Sequence, residues 1–306
     1  MAKQPKAIFG NHPVTEGPRN EPMLLDSSNI GYFLYPDEGL DYSDLNNVFF
    51  SSDQLTVCTM DIGPGGFFNP PDYHPGDEAY YICEGTINQY NPHAGQMIEV
   101  PAGESLLIPK GVLHTAYNFG QERLRVIAVI APKIVADQTF PTDTDKPKKV
   151  LQGEHNDELG HIGEYDDPQL IGSLDNLGSW PAPGPLLREK GVLYHITEHK
   201  KLKAVHGDLH PLLVKFSVSN DFMQMGEFIL PSGGTICRHS EKIKHPGQCV
   251  LVGLDGLTTV YLPSTRGSYQ IHRYEGMYIP AGTEYVLLNY ETEPAHCLFA
   301  IGGDKF

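Results

Sequence analysis

The sequence predicts an all-β protein in which one domain occurs twice. Short, β-branched segments recur at close spacing, and Gly, Pro, Asn or Asp residues bound them, which is typical of a β-sandwich or β-barrel. Two blocks of sequence, at residues 74–85 and 108–118, reappear in the same order and at the same offset at residues 245–256 and 279–289. Two blocks that share one offset indicate an internal duplication of an all-β domain.

The individual strand predictions follow from short apolar runs. Residues 55–60, 125–130 and 212–218 are the clearest of them, because each is rich in β-branched side chains and ends at turn-forming residues. Helical periodicity is scarce, and the weak helix candidates are residues 185–190 and the stretch after Gln152.

The composition limits the classes of partner. The 306 residues include 22 Lys+Arg and 38 Asp+Glu, which gives a formal net charge of −16. Without a long basic block, binding to nucleic acid or to an anionic membrane surface is not expected. No stretch approaches the ~20 apolar residues of a membrane helix. The N-terminus lacks the apolar core of a signal peptide and the five cysteines are scattered, so we expect a reduced, cytoplasmic setting.

The first copy contains a group of candidate metal ligands. Alternate residues of an extended strand share a face, so Asp72, His74 and Glu78 would point the same way, with Tyr80 continuing that face. A second strand carrying His114 could complete a ring of imidazole nitrogens and carboxylate oxygens. Two histidines with one or two carboxylates suit divalent iron, manganese, nickel or zinc, with positions left open for water or substrate.

The spacing of these residues resembles that of the cupin superfamily, specifically its two-domain members. The first motif of that family, G-x5-H-x-H-x3-E-x6-G, appears as Gly66-x5-Asp72-x-His74-x3-Glu78-x6-Gly85. The second motif, G-x5-P-x-G-x2-H-x3-N, appears as Gly103-x5-Pro109-x-Gly111-x2-His114-x3-Asn118. All spacings agree, and Asp72 stands where the family has its first histidine. Counting both copies, the resemblance covers about residues 45–132 and 205–302.

The resemblance implies a small cupin-type β-barrel, a double-stranded β-helix or jelly roll, in each half of the chain. It also implies a metal ion in the mouth of the first barrel, bound by His74, Glu78 and His114. Asp72 is a fourth ligand, a neighbour of the ligands, or a side chain turned to solvent. Glu78 or Tyr80 could move a proton during catalysis. The residues expected to line a substrate pocket are Phe67, Phe68, Tyr80, Tyr117 and Asn118.

The second copy lacks this set of ligands. The positions that align with Asp72, His74, Glu78 and His114 hold Ile243, His245, Cys249 and Tyr285. Ile and Tyr at these places are typical of a filled, apolar barrel, so we expect a metal-free copy with a structural or dimer-forming role. The alternative is a substitute ligand from His239 or Glu241.

Four parts of the chain follow from the repeat. We expect an N-terminal arm at residues 1–44, the metal-binding barrel at 45–135, an irregular connector at 136–190 and the degenerate second barrel at 191–306. The connector is predicted because the composition shifts to Asp, Pro, Gly and Lys with few apolar runs.

Three kinds of function are compatible with such a site. The first is an oxygenase of the dioxygenase type, because the resemblance extends to two-domain proteins with one active copy, many of which are dioxygenases. The second is a redox-neutral isomerase, lyase or decarboxylase, in which the metal polarises a carbonyl or a hydroxyl pair. The third is a non-catalytic module that binds a small molecule. The sequence shows no phosphate-binding loop and no dinucleotide fingerprint, which argues against phosphoryl and hydride transfer.

The expected cofactor is one divalent metal ion, with iron first and manganese, nickel or zinc as alternatives. The expected partner is a small-molecule substrate, with no nucleic acid and no membrane. Because family members commonly pair barrels through edge strands, a homodimer is also expected.

Overall fold

The computed structural model describes residues 20–35, 44–52, 54–68, 71–132, 134, 184–233 and 237–303. Most of the predicted arm, nearly all of the predicted connector and the helix candidate after Gln152 lie outside these residues. No helix within the described ranges is long and apolar enough to cross a membrane.

The regular structure of the described residues consists of β-strands and one short helix. The first half contains β1 (Met23–Leu25), β2 (Gly31–Tyr35), β3 (Asp44–Ser51), β4 (Thr56–Ile62), β5 (Asp77–Glu84), β6 (Thr86–Asn91), β7 (Gln96–Pro101), β8 (Ser105–Ile108), β9 (Thr115–Tyr117) and β10 (Leu124–Ala131). Next come helix α1 (Gly184–Lys190), β11 (Tyr194–Ile196), β12 (Leu202–His206), β13 (Leu212–Ser219), β14 (Met223–Leu230), β15 (Arg238–His239), β16 (Gln248–Asp255), β17 (Thr258–Leu262), β18 (Gly267–Ile271), β19 (Gly276–Ile279), β20 (Val286–Asn289) and β21 (Ala295–Gly302).

These strands build two barrels, each from one large and one small sheet. In the first barrel the large sheet has the order β11-β8-β5-β10-β4-β3-β2 and the small sheet the order β7-β6-β9. In the second barrel the orders are β1-β19-β16-β21-β14-β13-β12 and β15-β20-β17-β18. Side chains from both sheets of each barrel share one apolar core. The predicted all-β fold with two tandem barrels is therefore confirmed, and the helix at residues 184–190 coincides with one weak helix candidate.

Each large sheet also receives a strand from outside its own stretch of sequence. Strand β1, near the N-terminus, pairs with β19 of the second barrel, and β11, which follows α1, pairs with β8 of the first. Both strands lie at the edge of a sheet, where they cover backbone groups that would otherwise be unpaired. The domain boundaries given above remain a prediction.

The two large sheets pack against each other and form a third core between the barrels. In β10, Val126 and Ala128 face the first barrel's interior, whereas Ile127 and Val129 face the neighbouring barrel. Because both faces of this strand are buried, its sequence is a continuous apolar run rather than an alternating one. The barrels are thus held together along a face that water does not reach.

Candidate metal centre

Three short segments bring the candidate ligands together at the mouth of the first barrel. Asp72 and His114 lie opposite each other and exchange two backbone hydrogen bonds of 2.9 Å, while Glu78 is the second residue of β5. The turn before His114 contains Gly111, which has a φ of 76° and donates its N–H to the carbonyl oxygen of His74 at 3.0 Å. This positive φ favours glycine and fixes the two histidine segments relative to each other.

A second glycine allows the segment before β5 to pass close to the end of strand β10. Gly76 lies between His74 and Glu78, and a Cβ at this position would overlap the carbonyl group of Ala131. Because only glycine fits there, the segment can bend between the two ligands and still enter the sheet.

His74, Glu78 and His114, called the ligand triad below, are buried and offer ligand atoms that lie within 4.8 Å of one another. Glu78 Oε2 lies 3.1 Å from His114 Nε2 and 3.4 Å from His74 Nε2. Asp72, also buried, places its Oδ2 3.6 Å from His74 Nε2. Across the described residues, this is the one group of three candidate ligands that gathers in this way.

The hydrogen bonds of the two imidazoles determine which nitrogens face the centre. His74 Nδ1 lies 2.8 Å from the carbonyl oxygen of Ile134, and His114 Nδ1 lies 3.0 Å from that of Val112. A carbonyl oxygen can only accept, so each Nδ1 carries a proton, and in a neutral imidazole Nε2 is then an acceptor. Backbone carbonyls orient metal-binding histidines in this same way.

The centre therefore collects more acceptors than donors. Glu78 Oε2 and His114 Nε2 are both fully buried and form no hydrogen bond, although they lie close together. Two imidazole lone pairs and two carboxylates that face one another in a buried site are costly unless a cation lies among them. The donor set fits a divalent metal ion.

The acid–base properties of the centre reflect the same crowding. Burial alone would raise the pKa of Glu78, but the electrostatic interactions with His74 and His114 outweigh it and lower that pKa. Burial alone would lower the pKa of His114, but Glu78 raises it. Burial raises the pKa of Asp72 to about 6. Protons would occupy these groups in place of a metal, so metal binding should release protons.

The predicted pocket residues fall into two groups. Tyr80 faces the barrel interior and forms a side-chain hydrogen bond with Glu78, and the ring of Phe68 lies nearly parallel to that of His114 with 6.5 Å between centroids. Phe67 and Tyr117 instead stack on each other at 6.0 Å. Tyr117 alternates with the inward-facing residues of its strand, so these two rings lie on the other face of the sheet.

Asn118 is engaged by backbone groups. Its Nδ2 donates to the carbonyl oxygens of Ile62 and Glu122 at 2.9 and 2.8 Å. The aligned Asn289 makes the equivalent pair of bonds in the second barrel. The asparagine recurs in both copies, although only one copy has the ligands. This recurrence in the sequence indicates that the asparagine stabilises a loop rather than binds a ligand. Lining of a substrate pocket by this set of residues remains a prediction.

The aligned positions of the second barrel are filled by packed side chains. Ile243, Cys249 and Tyr285 belong to its apolar core. His245 Nε2 lies 2.8 Å from the Tyr285 hydroxyl, and burial lowers the pKa of His245 to about 4. The carboxylate of Glu241 accepts hydrogen bonds from two backbone N–H groups of a nearby loop. Whether this barrel binds a metal remains a prediction.

Asp77 is a residue of the site that motif spacing did not indicate. It is fully buried next to Glu78, and its Oδ1 accepts a 2.8 Å bond from the backbone of Lys110, in the turn that leads to His114. Its Oδ2 lies 2.6 Å from Arg188 Nη1 on α1 and 3.0 Å from Asn220 Nδ2. Asp77 thus connects the ligand segments with the helix and with the second barrel.

Comparison with known proteins agrees with the fold and the motifs. The Cupin domain profile matches residues 58–130, a range that includes the ligand triad. Germin-like protein subfamily T member 2 of Arabidopsis thaliana is 26% identical over 125 residues, which cover 39% of this chain and 53% of that protein. The match thus spans about half of that relative's length.

Solved structures resemble the whole two-barrel arrangement at low sequence identity. AerE from Microcystis aeruginosa is 10% identical, with 90% of this chain and 97% of that chain covered and a TM-score of 0.56. Ylba from E. coli is 11% identical, with 95% of both chains covered and a TM-score of 0.59. A variant of oxalate decarboxylase OxdC from Bacillus subtilis is 14% identical, with 96% of this chain and 80% of that chain covered and a TM-score of 0.58. These likenesses concern the fold. The domain match and the motifs show a cupin domain in the first barrel, and the solved structures share the arrangement of two tandem barrels.

Proposed function

We propose that the first barrel holds one divalent metal ion and that the protein is an enzyme that acts on a small organic substrate at that ion. The observation that carries this proposal is the convergence of buried acceptors, in which Glu78 Oε2 and His114 Nε2 have no hydrogen bond. The ligand triad would hold the metal, and Asp72 is its candidate fourth ligand. When bound, a divalent metal supplies Lewis acidity and, as iron, reactivity toward dioxygen.

The reaction we propose first is oxygenation of the dioxygenase type with iron. Two histidines and one carboxylate with open positions form the ligand set of non-haem Fe(II) oxygenases, and the ligand triad has that composition. The chain's own contribution is orientation. Tyr80 bonds to Glu78, backbone carbonyls fix both imidazoles, and the apolar walls of the barrel exclude water.

A redox-neutral reaction, with decarboxylation as the main case, is the second candidate. It is favoured by Asp72, because a second carboxylate beside the triad adds a hard oxygen donor that suits manganese. Bacillus subtilis oxalate decarboxylase, whose fold is similar, contains Mn(II) centres. In this case Glu78 or Tyr80 would be the group that moves a proton.

The first experiment is elemental analysis of protein purified without added metal, for the wild type and two matched variants. His74→Ala removes a triad ligand, and His245→Ala removes the aligned histidine of the second barrel. We expect about one metal per chain in the wild type and in His245→Ala, and almost none in His74→Ala. Full metal content in His74→Ala, with the fold intact by circular dichroism, would contradict the assignment.

The second experiment separates the reactions. Oxygen uptake is measured on a panel of enolic and catecholic compounds, and carbon dioxide release is measured on oxalate. Iron with oxygen uptake supports the oxygenase. Manganese, nickel or zinc with carbon dioxide release and no uptake supports the redox-neutral enzyme. A wild type without metal would leave a non-catalytic binding module.

Two further expectations accompany this proposal, a cytoplasmic location and a homodimer through barrel edges. Strand β12 ends the large sheet of the second barrel and exposes Val205 to solvent, which offers an edge for pairing. Light scattering of the purified protein tests the dimer.

A further inference from the structure

Gln89 is a fully buried glutamine whose side-chain amide has no hydrogen bond at either atom. A buried amide without partners is unfavourable, and native structures contain few of them. An amide that remains unpaired in the folded protein is therefore a candidate for a bond to something else that enters the site.

The amide of Gln89 points into the first barrel, close to the ligand triad. On β6, Gln89 lies directly opposite Ile98 of β7 and Ala116 of β9, and both of these side chains belong to the barrel's interior core. Residues directly opposite each other share a face of the sheet. His114 precedes Ala116 by two residues and therefore lies on that same face, diagonal to Gln89.

Gln96, on the neighbouring strand β7, is a buried glutamine whose side-chain amide is fully hydrogen-bonded. It is equally buried, but its Nε2 donates to the carbonyl oxygen of Leu193 at 2.9 Å and its Oε1 accepts from the N–H of Leu193 at 2.7 Å. Both of its amide atoms are thus satisfied by one residue. Gln89 has the same side chain and burial without such a partner.

We propose that Gln89 determines substrate specificity by binding a neutral hydroxyl or carbonyl group of the substrate, an inference that rests on the proposed function. One part of the substrate, an enolate, catecholate or carboxylate, binds at the metal. Another part presents an oxygen to the amide, which offers both a donor and an acceptor. The substrate class is a hydroxylated carboxylate or a polyphenol. The surroundings of Gln89, Ile98 and Ala116 among them, are apolar and favour a neutral group over a second charge.

The test uses probe pairs that bind metal in the same way and differ by one hydroxyl. Glycerate is compared with lactate, and pyrogallol with catechol, each titrated into protein loaded with Co(II) and followed by the visible spectrum. We expect the wild type to bind the compound with the additional hydroxyl at least tenfold more tightly in one pair or both. The Gln89→Leu variant should bind both members of that pair equally well. The affinity for Co(II) itself should change by less than threefold in this variant.

A stability comparison on metal-free protein forms the second arm. Gln89→Leu removes an unpaired amide, so its unfolding temperature should equal or exceed that of the wild type. The matched control, Gln96→Leu, leaves both backbone groups of Leu193 without their partners and should unfold at a lower temperature. If Gln89→Leu is destabilised as much as Gln96→Leu, the amide is part of the structural core and the proposal is wrong.

The two arms distinguish the failure of this proposal from that of the proposed function. A wild type that binds no Co(II) overturns the metal centre, whereas the stability arm still tests Gln89. A wild type that binds Co(II) but prefers neither hydroxylated probe, or a Gln89→Leu variant that keeps the preference, overturns the role of Gln89 and leaves the metal centre standing.

Discussion

Arg188→Met removes the cationic partner of a buried carboxylate, and its effect can be worked out from the structure. Arg188 Nη1 lies 2.6 Å from Asp77 Oδ2, and the Asp77 side chain is fully buried. Breaking a buried pair by removing one partner costs about 3–5 kcal/mol. Two neutral donors, the backbone N–H of Lys110 and the amide of Asn220, remain bonded to the carboxylate. We therefore expect a loss at the lower end of this range, about 3 kcal/mol in the free energy of unfolding at pH 8.

The same substitution should weaken metal binding although Arg188 touches no candidate ligand. Asp77 immediately precedes Glu78 and holds the backbone turn that leads to His114, so its displacement moves two members of the ligand triad. Losing a group that orients metal ligands typically costs 10–100-fold in metal affinity. Because Arg188 acts on the ligands only through Asp77, we expect a loss of metal affinity of about tenfold, at the lower end of that range.

The control is Arg125→Met, which breaks a comparable ion pair away from the ligands. Arg125 Nε lies 2.6 Å from Asp61 Oδ1, and in the β10–β5 register Arg125 lies opposite Glu84, at the far end of β5 from Glu78. Urea unfolding of metal-free protein and chelator competition for Mn(II) give the two free energies for each variant. Arg125→Met should lose stability but not metal affinity. Equal metal affinities in the Arg188 and Arg125 variants would refute the positioning role of Asp77.

Three other substitutions have direct outcomes. Tyr80→Phe removes the hydrogen bond to Glu78 and should lower turnover at least tenfold with unchanged metal content, whereas unchanged turnover would show that the hydroxyl is not used. Tyr285→His should not create a tight metal site, because Ile243 and Cys249 remain at two of the aligned positions, and a second metal per chain in elemental analysis would contradict this. Burial alone would raise the pKa of Glu198, but neighbouring lysines lower it to about 2. Glu198→Gln should therefore cost about 1 kcal/mol or less at pH 7, because the carboxylate is partly exposed. The difference in free energy of unfolding between the variant and the wild type, measured in urea, should shrink as the pH falls from ~4.3, the pKa of Glu in the unfolded chain, toward 2.

Motif spacing located the ligand triad because spacing along a strand and a turn determines which side chains share a face. His74 and Glu78 are four residues apart with a glycine bend between them, and His114 follows a glycine turn that bonds back to His74. Alternation would also have separated Tyr117 from His114, because an odd number of residues places two side chains of a strand on opposite faces. The aromatic set was predicted by residue type rather than by this parity.

Other parts of the site depend on contacts that the local sequence does not encode. Asp77 meets Arg188 and Asn220 across more than 100 residues of chain, and only the packing of the two barrels brings them together. Strands β1 and β11 are three residues long, so nothing in their sequence indicates which sheet edge they cover. Gln89 and Gln96 are the same residue type on neighbouring strands, and the difference between them appears only when their hydrogen bonds are compared.

The two barrels solve the same local problem with different chemistry. In the first, His114 Nε2 faces Glu78 Oε2, so two acceptors meet in a buried site that a cation between them would stabilise. In the second, a phenol occupies the position of His114, and its hydroxyl lies 2.8 Å from His245, so a hydroxyl that can donate meets the imidazole. Apolar side chains, Ile243 among them, surround this pair. The second barrel also contacts the first one here, because Asn220 donates a hydrogen bond to Asp77, the residue beside Glu78. The two copies thus differ at this place, with the candidate metal centre in one barrel and a packed core in the other.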